Sequence, residues 1–131
     1  TVLLRSDGKV AACGGSDYDQ CDIPELEAGL TYMQVLAGGI NTVLLQSDGQ
    51  AVILGADTCG QGELPELEAG ASYCQVAMGQ NHVVLLRSDG WAATCGDNDD
   101  GQCDLPELEP GMTYAQVACG QNHTVLLRSD G

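Results

Sequence analysis

Thr1–Gly8 reads TVLLRSDG, Thr42–Gly49 reads TVLLQSDG, Val83–Gly90 reads VVLLRSDG and Thr124–Gly131 reads TVLLRSDG. Each copy begins 41 residues after the last, without insertion or deletion. A fixed period of this length marks a repeat architecture, in which each unit buries its apolar faces against its neighbours. The chain divides into units 1–41, 42–82 and 83–123 and a partial fourth, 124–131, within one continuous array. Seventeen of the 41 positions are identical in all three complete units. In the first they are Val2, Leu3, Leu4, Ser6, Asp7, Gly8, Gly14, Gln20, Pro24, Glu25, Leu26, Glu27, Gly29, Tyr32, Gln34, Val35 and Gly38.

Each unit carries four strand candidates, in the first Val2–Arg5, Val10–Cys13, Pro24–Glu27 and Thr31–Ala37. Asp7-Gly8 between apolar runs signals a tight hairpin, because glycine accepts the positive φ such a turn needs. Pro24–Glu27 is a poor strand. Its Pro and two Glu suit an exposed sheet edge guarded against strangers. Val2, Leu3 and Leu4 are consecutive, yet neighbours on a strand point to opposite faces, so both faces of that strand must be covered. A small antiparallel sheet covered on both faces by copies of itself is a propeller blade. The expected fold is all-β: about three four-stranded blades plus a partial fourth, an open segment of a larger propeller. A parallel solenoid is the alternative, and the Asp-Gly hairpins argue against it.

The formal charge is −15, from 4 Lys and Arg against 19 Asp and Glu. Such a surface repels nucleic acid and anionic lipid and suits a basic protein partner. No run of 18 apolar residues is present, so no spanning helix is expected.

The 7 Cys include no C-x-x-C pair. No metal site and no cofactor are expected. Cys13 with Cys21, and Cys95 with Cys103, flank the same loop in two units. The second unit lacks both partners, having Leu54 and Gly62. Loss in pairs is what a disulfide leaves, so these are candidate disulfides; small buried apolar side chains are the plainer reading. His82 and His123 recur at one position at the start of a core strand and read as packed structural residues. No catalytic group is assigned. The candidate partner-binding residues are Trp91, which replaces Lys9 and Gln50 of the other units, and the loop residues Asp97, Asn98, Asp99, Asp100, Asp17 and Asp57.

Gly79-Gln-Asn-His82-Val-Val-Leu85-Leu-Arg-Ser-Asp89-Gly90, followed by Gly96-Asp-Asn98-Asp-Asp-Gly101-Gln102, resembles the repeat of the regulator of chromosome condensation family. Departures are Cys13, Leu54 and Cys95 at the family's Trp, Asn41 at its His, and Asp19 at its loop Gly. The resemblance implies a propeller of four-stranded antiparallel blades. For function it implies a non-enzymatic protein-interaction or scaffold module. A narrower form is an accessory subunit of a large assembly such as a photosynthetic complex. The alternative it carries is a guanine-nucleotide exchange regulator of a small GTPase.

Overall fold

The computed structural model describes residues 1–57 and 63–131. Ten strands run through them: β1 (Val2–Leu4), β2 (Val10–Ala12), β3 (Tyr32–Gly38), β4 (Asn41–Gln46), β5 (Ala51–Gly55), β6 (Tyr73–Met78), β7 (His82–Arg87), β8 (Ala92–Gly96), β9 (Tyr114–Cys119) and β10 (Thr124–Arg128). All pairing is antiparallel. The sheets are β3-β4-β5, β6-β7-β8, β1-β2 and β9-β10. The described residues form an all-β array of propeller blades.

Two features differ from the sequence expectation. First, the sheets straddle the unit boundary. The last strand of one unit pairs with the first strand of the next, Gly38 opposite Asn41 and Ala37 opposite Thr42. Only Gly39 and Ile40 separate β3 from β4, and so short a link forces a hairpin. Second, Pro24–Glu27 forms no strand, nor do its counterparts. Proline has no N–H for a ladder. Its carbonyl is held instead by a tyrosine eight residues on. The Tyr32 hydroxyl donates to Pro24 O at 2.9 Å, Tyr73 to Pro65 O at 2.7 Å and Tyr114 to Pro106 O at 2.6 Å. The identity of Tyr in every unit follows from this pin. The two central blades therefore hold three laddered strands each and one pinned outer segment.

The three consecutive apolar residues divide between two neighbours. Val43 and Leu45 pack with Val83 and Leu85 between the second and third blades. Val84 and Leu86 pack with Val117 and Leu126 on the other side. Leu85 has no exposed surface, whereas Leu3, at the same repeat position, is 58% exposed. One sequence thus gives both core and surface, and the adjoining blade decides which. Burying such a side chain fully is worth about 1.5–3 kcal/mol.

Side chains fasten each blade to the next at a separation of 42 residues. Gln34 Nε2 donates to Val76 O at 2.9 Å, and Val76 N donates back to Gln34 Oε1 at 3.1 Å. Gln75 repeats the pair with Val117 at 3.2 and 3.1 Å. The hairpins add a third bond. Tyr32 N donates to Gly8 O at 2.9 Å, Tyr73 N to Gly49 O at 2.8 Å and Tyr114 N to Gly90 O at 2.7 Å. These glycines sit at positive φ, and a Cβ on Gly49 would lie 2.2 Å from Ser72 Cβ. Turn conformation and close approach both demand glycine there.

Candidate functional site

The array has two edges. On one lie the hairpins that follow β1, β4 and β7. On the other lie the turns into β4, β7 and β10 and the loops that leave β2, β5 and β8.

On the loop edge, Asn98 is a builder of structure. Its Oδ1 accepts from Cys103 N at 2.8 Å, and its Nδ2 donates to Asp104 Oδ1 at 2.8 Å. Asp97 Oδ1 accepts from Asp99 N at 3.0 Å, closing a local turn. Ser16 does the corresponding work in the first unit, accepting from Cys21 N at 3.2 Å. Gln20 and Gln102, at one repeat position, belong to the same device. Gln20 Oε1 accepts from Tyr18 N at 3.0 Å and Gln102 Oε1 from Asp100 N at 2.9 Å. Asp19, in place of a glycine, is held at φ 59°. Asp17, Asp57, Asp99 and Asp100 remain exposed. Gly62 lies outside the described residues, and no group of three or more ligating side chains converges among those described.

His82 is 1% exposed at the start of β7. Its ring lies on Gly79, where a Cβ would come within 2.2 Å of Cε1. That contact explains why Gly stands three residues before each His. Thr124 Oγ1 donates to Gln102 O at 2.7 Å, so it accepts from His82 Nε2 at 3.1 Å. Nδ1 is then the bare nitrogen, and it is buried without a partner. Burial holds the His82 pKa below its usual value. Asp97 opposes this and His123 reinforces it. The ring therefore joins two blades as a neutral group.

A pH dependence follows. Above about pH 6.5 both the folded and unfolded forms are neutral at His82, and its full contribution is present. Below that, the unfolded chain takes up a proton that the fold refuses, so stability falls as pH falls. His82→Asn, copying Asn41 of the first unit, is expected to flatten this slope between about pH 6.5 and 5 in urea titrations. An unchanged slope would assign the dependence to other groups.

Neither candidate disulfide is formed in the structure. Cys13, Cys21 and Cys103 are free thiols. The loop sulfurs turn back on the loop's own start: Cys21 Sγ donates to Gly15 O at 3.5 Å and Cys103 Sγ to Asp97 O at 3.3 Å. Cys95 is buried in the core cluster, and burial pushes its thiol up to about 12. Such a thiol supplies little of the thiolate that disulfide formation requires.

Trp91 is 55% exposed, at the entry to β8 on the hairpin edge. Its backbone is fixed by the hairpin, Trp91 N donating to Asp89 Oδ1 at 3.1 Å. Asp97–Asp100 follow the far end of the same strand. Five strand residues span about 16 Å, so the tryptophan and the acidic loop lie at opposite edges. The sequence placed them on one unit, but the fold separates them. All 4 cations, Arg5, Lys9, Arg87 and Arg128, belong to the hairpin edge as well. Three of them pair with the aspartate two residues on.

These features define an open array of propeller blades with two chemically distinct edges. Residues 73–102 match the family model of the Regulator of chromosome condensation (RCC1) repeat. No curated protein matches the sequence. Among solved structures, Prp20p from Saccharomyces cerevisiae, described with its binding to Gsp1p and histones, is similar with a TM-score of 0.78 at 20% identity. The match covers 99% of this chain and 41% of that one. Human WBSCR16 is similar with a TM-score of 0.74 at 20% identity, covering 96% and 41%. The CRINKLY WD40 ectodomain of the Arabidopsis thaliana receptor kinase ACR4 gives 0.74 at 18% identity, covering 98% and 48%. The likeness is one of fold, and this chain spans less than half the length of each.

Proposed function

We propose that this chain is a non-enzymatic protein-interaction module of the regulator-of-chromosome-condensation type. A scaffold common to every unit presents side chains that differ between units. The observation that carries this reading is Trp91, an exposed indole where the sister units have Lys9 and Gln50. A half-exposed tryptophan on a rigid hairpin is suited to anchor a partner, because it offers a large contact area at little entropic cost. The loop acids Asp17, Asp57, Asp99 and Asp100 provide a second, separate recognition edge. They act on the rate and salt dependence of association more than on its strength.

The test is capture of partners by the full-length protein, wild type against Trp91→Ala. Association is expected to weaken by about 2 kcal/mol, roughly thirtyfold, with thermal stability unchanged. If the variant unfolds more readily but binds equally well once folded, Trp91 belongs to the core and the reading fails. Exchange regulation is the alternative carried by the resemblance to the regulator of chromosome condensation family. It would show as a captured small GTPase whose nucleotide release the protein accelerates.

A further inference from the structure

The pinned outer segments leave grooves beside β2 and β5. In the first unit the groove is about 500 Å³, floored by Val10, Ile23, Leu26 and Tyr32 and flanked by Glu25 and Glu27. In the second it is about 350 Å³, between Ala51 and the segment Leu64–Leu67, with Glu66 at its side. β2, β5 and β8 end their sheets, and no strand pairs beyond them among the described residues.

The glutamates of these segments stand out. Glu25, Glu27, Glu66, Glu68, Glu107 and Glu109 occupy two positions identical in every unit, while 24 of the 41 positions vary. The other polar positions identical throughout, Ser, Asp, Gln, Tyr and Gln, each have a side-chain bond described above or its repeat equivalent; Ser47, Ser88 and Ser129 Oγ accept from Thr31, Ser72 and Thr113 N. All six glutamates are exposed, and none enters an ion pair or side-chain hydrogen bond among the described residues. The fold holds none of their carboxylates in a hydrogen bond or close ion pair, and only Glu109 acts at a distance, helping to keep Arg128 charged. Lys9 lines the first groove and Gln50 the second, and Trp91 holds that repeat position in the third unit.

We infer that the outer grooves take an extended segment of a partner protein bearing Lys or Arg at alternate positions. Three features of the grooves select this occupant. A terminal strand offers its free edge to an added strand. The apolar floor accepts alternate side chains. Two carboxylates two residues apart match the two-residue period of a strand's cations. Recurrence in the first two units allows one long segment, or two short ones, to engage neighbouring grooves together, raising avidity. The inference rests on the interaction-module reading and assigns it a surface.

The probe is the capped peptide Lys-Val-Lys-Val-Lys, titrated into the full-length protein and followed by amide chemical shifts. Binding is expected, with shifts concentrated at Val10, Leu26, Ala51 and Leu67. Changing Glu25, Glu27, Glu66 and Glu68 to Gln should weaken it at least tenfold. A control removing four charges from the loop edge, Asp17→Asn, Asp19→Asn, Glu63→Gln and Asp99→Asn, should change it less than twofold. A peptide N-methylated on alternate residues, unable to add to a strand edge, should bind at least tenfold more weakly. Equal weakening in both charge variants would reduce the effect to general attraction by an acidic protein and overturn the inference. So would shifts confined to the loop edge, a groove filled by self-association, or no binding at millimolar peptide. Loss of partner capture on Trp91→Ala alongside absent peptide binding would remove the grooves and leave the module reading standing.

Discussion

Leu85→Ala is expected to lower the unfolding free energy by about 3–4 kcal/mol, as buried leucine truncations do when the surroundings cannot close the cavity. Leu85 has no exposed surface and lies on the central strand of its sheet, packed into the core between two blades. Backbone on both sides is pinned by ladders, so collapse into the void is limited. Leu3→Ala supplies the internal control. It changes the same repeat position on a strand whose leucine is 58% exposed, and a loss below about 1 kcal/mol is expected. Urea titration of both variants measures the contrast. Equal losses would mean that burial at the junctions is not what stabilises the array.

Gly96→Ala is expected to be as damaging, by about 3 kcal/mol or more, for a different reason. Gly96 is at φ +110°, and an added Cβ would lie 2.3 Å from Asn81 O and 2.8 Å from His82 Cα. Both atoms are backbone and cannot swing aside. Gly111→Ala separates conformation from collision. It sits at φ +87° with nothing near its would-be Cβ. The substitution there should cost only the left-handed conformation, about 1–2 kcal/mol. Thermal unfolding of the two variants reads the difference, and comparable midpoints would argue against close approach at Gly96.

Much of the fold was legible because the period, the Asp-Gly hairpins and the doubly apolar strands are local signals. The blade boundary was not. A two-residue link at Gly39-Ile40 decides that β3 joins β4, and the sequence offers equally plausible cuts at either end of a 41-residue unit. Pro24–Glu27 looked like an edge strand because its composition fits one, while the hydroxyl pin from Tyr32 depends on a loop path that composition does not encode. The role of Gln34 was hidden for a related reason. Its partner is the main chain of Val76, which carries no side-chain signature. At the candidate site, the recurrence of His82 and the oddity of Trp91 were visible from the first. Their relation to the acidic loop was not, since residues a few positions apart on a strand end up at opposite edges. The cysteine spacing left bond and packing both open, because spacing says nothing of burial, and Cys95 is packed in the core while Cys13 is exposed.

The central claim is that a rigid scaffold, fastened blade to blade by one repeated glutamine, holds the variable edges in place. Amide hydrogen exchange at Val76 and Val117 tests it directly, because each of these N–H groups donates to a glutamine of the preceding blade. Both are expected to be strongly protected in the wild type. Gln34→Ala should expose Val76 while Val117 stays protected, and Gln75→Ala should do the reverse. Exchange of both amides at the rate of the exposed hairpin residue Asp48 in the wild type, or protection indifferent to either substitution, would contradict the account.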